Sequence, residues 1–140
     1  MSDLHAKKFL IVLAGHSVPP PFAVGANEDE GPVNPVIAGG KDNVWSVRRV
    51  ESGNYNLVLD QRGPSWLSKG VGDSVVVEIM PLPGEWVITR QEDGTYTIEA
   101  PGPIRPSLSW ALDSGELGAP VKLRRRDFPA RWNFRPVLEE

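Results

Sequence analysis

Short apolar runs rich in β-branched and aromatic residues recur along the chain, at Phe9 to Leu13, Tyr55 to Leu59, Val75 to Ile79 and Tyr96 to Ile98. Turn-forming glycine, proline, asparagine and aspartate punctuate the chain between them, so each run reads as a short strand. Within Phe9-x-Ile11, Tyr55-x-Leu57 and Tyr96-x-Ile98 alternate residues point to one face, as a half-buried strand requires. The 14 prolines and 14 glycines are scattered between these runs and are poor material for helices. The pattern predicts an all-β chain of many short strands.

The strand pattern also repeats. Trp45-Ser46-Val47, Trp86-Val87-Ile88 and Trp132-Asn133-Phe134 share a Trp-x-apolar motif at intervals of 41 and 46 residues. The first two run into a Gly-containing turn and a new strand, through Gly53-Asn54-Tyr55 and Gly94-Thr95-Tyr96, so each tryptophan strand pairs with the first strand of the next unit. A third aromatic recurs at Phe22, Trp66 and Trp110. One further strand per unit comes from Pro35-Val36-Ile37, Val75-Val76-Val77 and Pro120 to Leu123. Three units of four strands are too few for a propeller, which needs about four blades, and match a β-trefoil. One domain over residues 1–140 is expected, with repeats at approximately 7–50, 51–91 and 92–140. In that fold Trp45, Trp86 and Trp132 belong to the core, whereas Trp66 and Trp110 lie nearer loops.

Composition narrows the function. The 15 basic and 18 acidic residues nearly cancel, so no whole-molecule field points to a nucleic acid or a membrane. Arg124-Arg125-Arg126 is followed by Asp127 and reads as a solvated strand end. With no cysteine, disulfides and thiolate chemistry are excluded and a reducing, cytoplasmic setting is expected. Lys7-Lys8 and the apolar stretch Phe9 to Ala14 imitate a signal peptide, but the stretch is short and reads as the first core strand. The two histidines, His5 and His16, have no partners at metal-ligand spacing, and no Gly-x-Ser-x-Gly turn marks a nucleophile. No metal, cofactor or catalytic residue is expected, and the chain reads as a binding protein.

Binding then falls to loops on a rigid frame. Candidates are Gly15 to Pro21, Gly25 to Asn34, Ser68 to Ser74 and Asp113 to Ala119. The second carries Glu28, Asp29 and Glu30 before Gly31-Pro32, a charged segment stiffened after its tip.

These features resemble small mushroom β-trefoil proteins. The stretch Gly84-Glu85-Trp86-Val87-Ile88-Thr89-Arg90 through Glu99 is similar to serine-protease inhibitors of the cospin family. The third unit, from Ser109-Trp110-Ala111-Leu112 to Arg131-Trp132, is similar to small mushroom lectins and to mycocypin inhibitors. As a cysteine-free, acidic chain of 15.4 kDa, the whole resembles the cocaprin family, inhibitors of papain-type cysteine proteases and pepsin-type aspartic proteases. The resemblance implies a protease-binding loop at Asn27, Glu28, Asp29, Glu30, Gly31 and Pro32. Its neighbours His16, Ser17, Val18, Pro19, Gly39, Gly40 and Lys41 are secondary candidates. Glu30 stands where cospin-like inhibitors present a basic residue to trypsin, and a carboxylate there opposes trypsin binding. A homodimer is also implied, with Leu82-Pro83 and Phe128-Pro129 as exposed apolar candidates. The alternative is a glycan-binding lectin that stacks sugar on Trp66 and Trp86, although no Gln lies two residues before Trp45, Trp86 or Trp132.

Overall fold

The computed structural model describes residues 8–14, 22–27, 33–62, 66–79, 84–114 and 116–137. Its strands are β1 (Lys8–Leu13), β2 (Val24–Gly25), β3 (Val33–Pro35), β4 (Ile37–Ala38), β5 (Trp45–Arg49), β6 (Tyr55–Leu59) and β7 (Trp66–Val71). They continue with β8 (Ser74–Ile79), β9 (Val87–Arg90), β10 (Tyr96–Glu99), β11 (Leu108–Leu112), β12 (Val121–Arg125) and β13 (Trp132–Pro136). Among the described residues the only helical element is a 3₁₀ turn at Asp60–Arg62.

Six strands close a barrel. β1 pairs with β5 and β13, β5 with β6, β9 with β10, and β10 with β13. The Tyr55–Trp86 bridge joins β6 to β9 and completes the ring. Closure removes free sheet edges, which would otherwise invite pairing with other chains. Three hairpins, β2 with β4, β7 with β8, and β11 with β12, cover one end. Their return strands meet around an axis through β3–β8 pairing, the Lys122–Ser74 pair and the Ile37–Pro120 bridge. This is a β-trefoil.

Twelve strands were expected, and the extra segment has a physical cause. Val36 separates β3 from β4 because its backbone is where the pairing passes from β8 of the second unit to β12 of the third. Its N–H donates to the Val75 carbonyl at 2.9 Å, and its carbonyl accepts from the Val121 N–H at 2.8 Å. Val36, Val75 and Val121 thus meet at the axis, all buried. A second difference lies at Ser68 to Ser74. Ser68 to Val71 belongs to β7, and only Gly72-Asp73 turns.

The repeated aromatics face one another across the barrel ladders as Phe9–Trp45, Tyr55–Trp86 and Tyr96–Trp132. The two turns read from sequence are equivalent: Gly53 and Gly94 hold φ values of 91° and 85°, a region that residues with a Cβ rarely enter. Trp110, expected nearer a loop, is instead fully buried at the centre of the tryptophans. Its ring meets Trp45, Trp86 and Trp132 edge-on at centroid distances of 6.3, 5.4 and 6.0 Å. Edge-to-face contact sets the positive rim of one ring against the negative face of another, which adds to the burial energy. The three outer indoles each donate a hydrogen bond: Trp45 to the Val24 carbonyl, Trp86 to Ser68 Oγ and Trp132 to the Trp110 carbonyl. The Trp110 N–H has no hydrogen-bond partner among the described residues.

Candidate functional site

Of the loop implied to bind proteases, only Asn27 is described, and it is exposed. Glu28, Asp29, Glu30, Gly31 and Pro32 lie outside the described residues, as do His16, Ser17, Val18 and Pro19. The chain on either side of residues 28–32 is tied to one side chain. Arg62, at the end of the 3₁₀ turn, donates from Nη2 to the Asn27 carbonyl and from Nη1 to Asn34 Oδ1. Its Nε donates to Asp42 Oδ2 at 2.7 Å, and its guanidinium lies 5.0 Å from the centre of the Trp66 ring. A planar fork of donors suits this task, because it reaches several acceptors at little entropic cost. Lys41 joins the same cluster through its N–H, which donates to Asn27 Oδ1 at 3.1 Å.

Asn27, Gly39 and Lys41 also line an open hollow of about 440 Å³ with Ile37 and Leu117. Gly40 does not belong to it. Gly40 is buried against the backbone of Gly25 and Ala26, and a Cβ there would collide with main-chain atoms. Its role is to let two backbones approach.

The proposed pair of sugar-stacking rings is not a surface. Trp86 is 2% exposed with its N–H held by Ser68, so its faces are spent on the core. Trp66 is half-buried against that core and covered by Arg62. Burial of Trp86 rules out a platform built from both rings.

A different cleft, of about 380 Å³, lies on the third unit. The β9–β10 hairpin contributes Gln91, Thr97 and Glu99, the loop before β11 contributes Arg105 and Ser107, and the β12–β13 loop contributes Arg126, Asp127, Phe128 and Arg131. Period-two alternation explains the first group: Ile98 is fully buried, so its neighbours Thr97 and Glu99 face away from Ile98's side of the sheet. Phe128 is 91% exposed. A single exposed apolar side chain is ordinary; Phe128 stands out because its ring borders a cleft lined with hydrogen-bonding groups. The sequence exposes Phe128-Pro129 only as an apolar candidate for dimerisation. Nothing in the spacing links it to Glu99 or Arg105, which the barrel brings alongside.

Ion pairs hold two of the charged side chains that line the cleft, Arg126 and Arg131. Arg126 reaches Asp113 at 3.3 Å and Arg131 reaches Asp93 at 3.8 Å, while Arg124 binds Asp113 at 2.6 Å. The triple-arginine run is thereby largely absorbed by Asp73 and Asp113. The Arg124 hydrogen bond holds the Asp113 carboxyl below the ordinary carboxylate value, with further help from the Arg124 and Arg126 charges. Asp93 is also held low, first by the Thr95 hydroxyl at 2.6 Å and the Thr95 N–H at 3.0 Å, then by Arg131. Lowering a carboxyl below its unfolded value favours the folded state above that value, and the contribution is lost as pH falls through the folded one. Carboxyl NMR should therefore find the Asp93 midpoint below 3.8, and Thr95→Val should raise it towards 3.8. An unchanged midpoint in that variant would show that Thr95 is not the cause.

Among the described residues no group of three or more metal-ligating side chains is assembled, and no helix is long and apolar enough to cross a membrane. None of the protein-family models and none of the curated proteins compared matches the chain. Solved structures do. The Macrolepiota procera ricin B-like lectin in complex with lactose superposes with a TM-score of 0.70 at 14% identity, covering 96% of this chain and 99% of the lectin. A mosquitocidal holotoxin gives a TM-score of 0.77 at 13% identity over 96% of this chain, which spans 18% of the toxin's length. Cry35Ab1 gives 0.73 at 12% identity over 98% of this chain, which spans 37% of that protein. At these identities the likeness defines a β-trefoil class shared by lectins and toxins, and nothing narrower.

Proposed function

We propose that the chain is a carbohydrate-binding β-trefoil and that the cleft beside Phe128 is its binding site. The observation that carries this is an exposed aromatic ring bordering a cleft of planar and hydroxylic polar groups. A sugar ring has an apolar C–H face and a polar rim. Phe128 offers a flat apolar surface to the first. Gln91, Thr97, Glu99 and Asp127 offer donors and acceptors to the second, in the pattern of a few convergent polar groups around an apolar contact that typifies small-ligand sites. The ricin B-like lectin among the structural neighbours, seen with lactose, supports the same reading. The test is a glycan array read for the parent and for Phe128→Ala. Because Phe128 makes little use of the core, the variant should keep its stability to within about 0.5 kcal/mol while glycan signal falls about tenfold or more. Undiminished binding in the variant would move the site elsewhere.

Inhibition of papain-type or pepsin-type proteases is the second reading, and the observation in its favour is the Arg62 fork. By fixing Asn27 and Asn34, Arg62 lowers the ordering cost of presenting the segment between them to a protease cleft. Assays against papain, pepsin and trypsin beside the array separate the two. Protease inhibition with a blank array would make inhibition the function.

A further inference from the structure

The arginines around the cleft are not equivalent. Arg126 and Arg131 each have an aspartate within 4 Å. Arg105 has none. Its Nη1 donates to the carbonyls of Gly102 at 2.9 Å and Ile104 at 3.4 Å and to Ser107 Oγ at 2.6 Å, all neutral acceptors from its own loop. Ser107 is 7% exposed, so the guanidinium is anchored at one nitrogen to a buried hydroxyl. Its Nε and Nη2 have no partner among the described residues, and the side chain lines the cleft that Phe128 borders.

A guanidinium fixed at one corner with its Nε–Nη2 edge unused is arranged for an incoming anion. That edge carries two parallel N–H groups, which match the two oxygens of a carboxylate or two of the three terminal oxygens of a sulfate ester. An uncharged sugar hydroxyl would satisfy only one of them. We infer that the ligand of this cleft is an acidic glycan, a uronic acid or a sulfated sugar, with its anionic group on Arg105 and its ring against Phe128. This rests on the carbohydrate reading and names the ligand class within it. Glu99 and Asp127, also in the cleft, accept hydrogen bonds from ring hydroxyls and disfavour ligands with more than one negative charge.

The experiment is an array of glycans printed in sets, each neutral core beside its uronate and its sulfate ester, read with the parent, Arg105→Gln and Arg105→Lys. The parent should bind at least one acidic form about tenfold more tightly than its neutral core, and about 0.5 M salt should erode that margin, since the site is exposed to solvent. Arg105→Gln should remove the margin, so that each acidic form binds no more tightly than its neutral core. Arg105→Lys, which keeps the charge and loses the fork, should retain part of it. The uronate and sulfate arms identify the anion. Equal binding of neutral and acidic forms by the parent, or a margin unchanged in Arg105→Gln with an unaltered melting curve, overturns the acidic-ligand inference and leaves the carbohydrate reading standing. A blank array overturns both.

Discussion

Replacing Trp110 by alanine should destabilise the protein by about 4 to 5 kcal/mol, the largest loss expected of any single tryptophan. The ring is fully buried and is the common neighbour of Trp45, Trp86 and Trp132. Its removal opens a cavity that no one neighbour can fill, because the other three are held in place by their own hydrogen bonds. A subtler comparison separates packing from hydrogen bonding. Trp110→Phe removes an N–H that has no hydrogen-bond partner among the described residues, so it should cost only the lost volume, about 1 to 2 kcal/mol. Trp45→Phe, Trp86→Phe and Trp132→Phe lose volume as well and strand a buried acceptor, which adds about 1 kcal/mol each. Denaturant unfolding of the four variants should rank Trp110→Phe as the mildest. If it proves the costliest, the central N–H makes an interaction that hydrogen-bond geometry does not capture.

Arg62→Ala is expected to cost about 2 to 4 kcal/mol, large for a residue outside the apolar core. The side chains of Arg62 and Asp42 are only 11% and 25% exposed, so removing the cation leaves a partly buried carboxylate without its partner. Asn34, 2% exposed, loses a charged donor at the same time. Arg62→Lys can keep the Asp42 pair but cannot span the three acceptors, so it should recover less than half of the loss. Both changes leave the Phe128 cleft intact, since Arg62 does not line it. Glycan binding measured at a temperature where the variants remain folded should therefore stay at the parent's level, while any inhibition of papain should weaken.

The fold was legible because it depends on patterns the sequence repeats. Trp45, Trp86 and Trp132, the aromatics opposite them, and the glycines of two equivalent turns all recur at trefoil spacing, and each occupies the position that spacing implies. Symmetry was also what misled. Phe22, Trp66 and Trp110 repeat with equal spacing, yet Phe22 is 43% exposed, Trp66 is half-buried and Trp110 is the centre of the core. Three large rings cannot share one axis, so one unit fills it and the others yield. The split at Val36 was invisible for a related reason, since it follows from hydrogen bonds to two other units. The cleft was the least legible feature. Gln91, Glu99, Arg105 and Phe128 come from three separate segments, and no local motif joins residues whose proximity is created by barrel closure. Trp86, which looked available as a stacking ring, was claimed by the core instead.

The most direct test of a carbohydrate site beside Phe128 is an amide chemical-shift titration of the full chain with the best ligand from the array. Saturable shifts should cluster at Gln91, Thr97, Glu99, Arg105, Ser107 and Arg126 to Phe128, with Asn27, Gly39 and Lys41 unmoved. Shifts confined to Asn27, Gly39, Lys41 and Leu117, or absent from the Phe128 cleft altogether, would contradict the account.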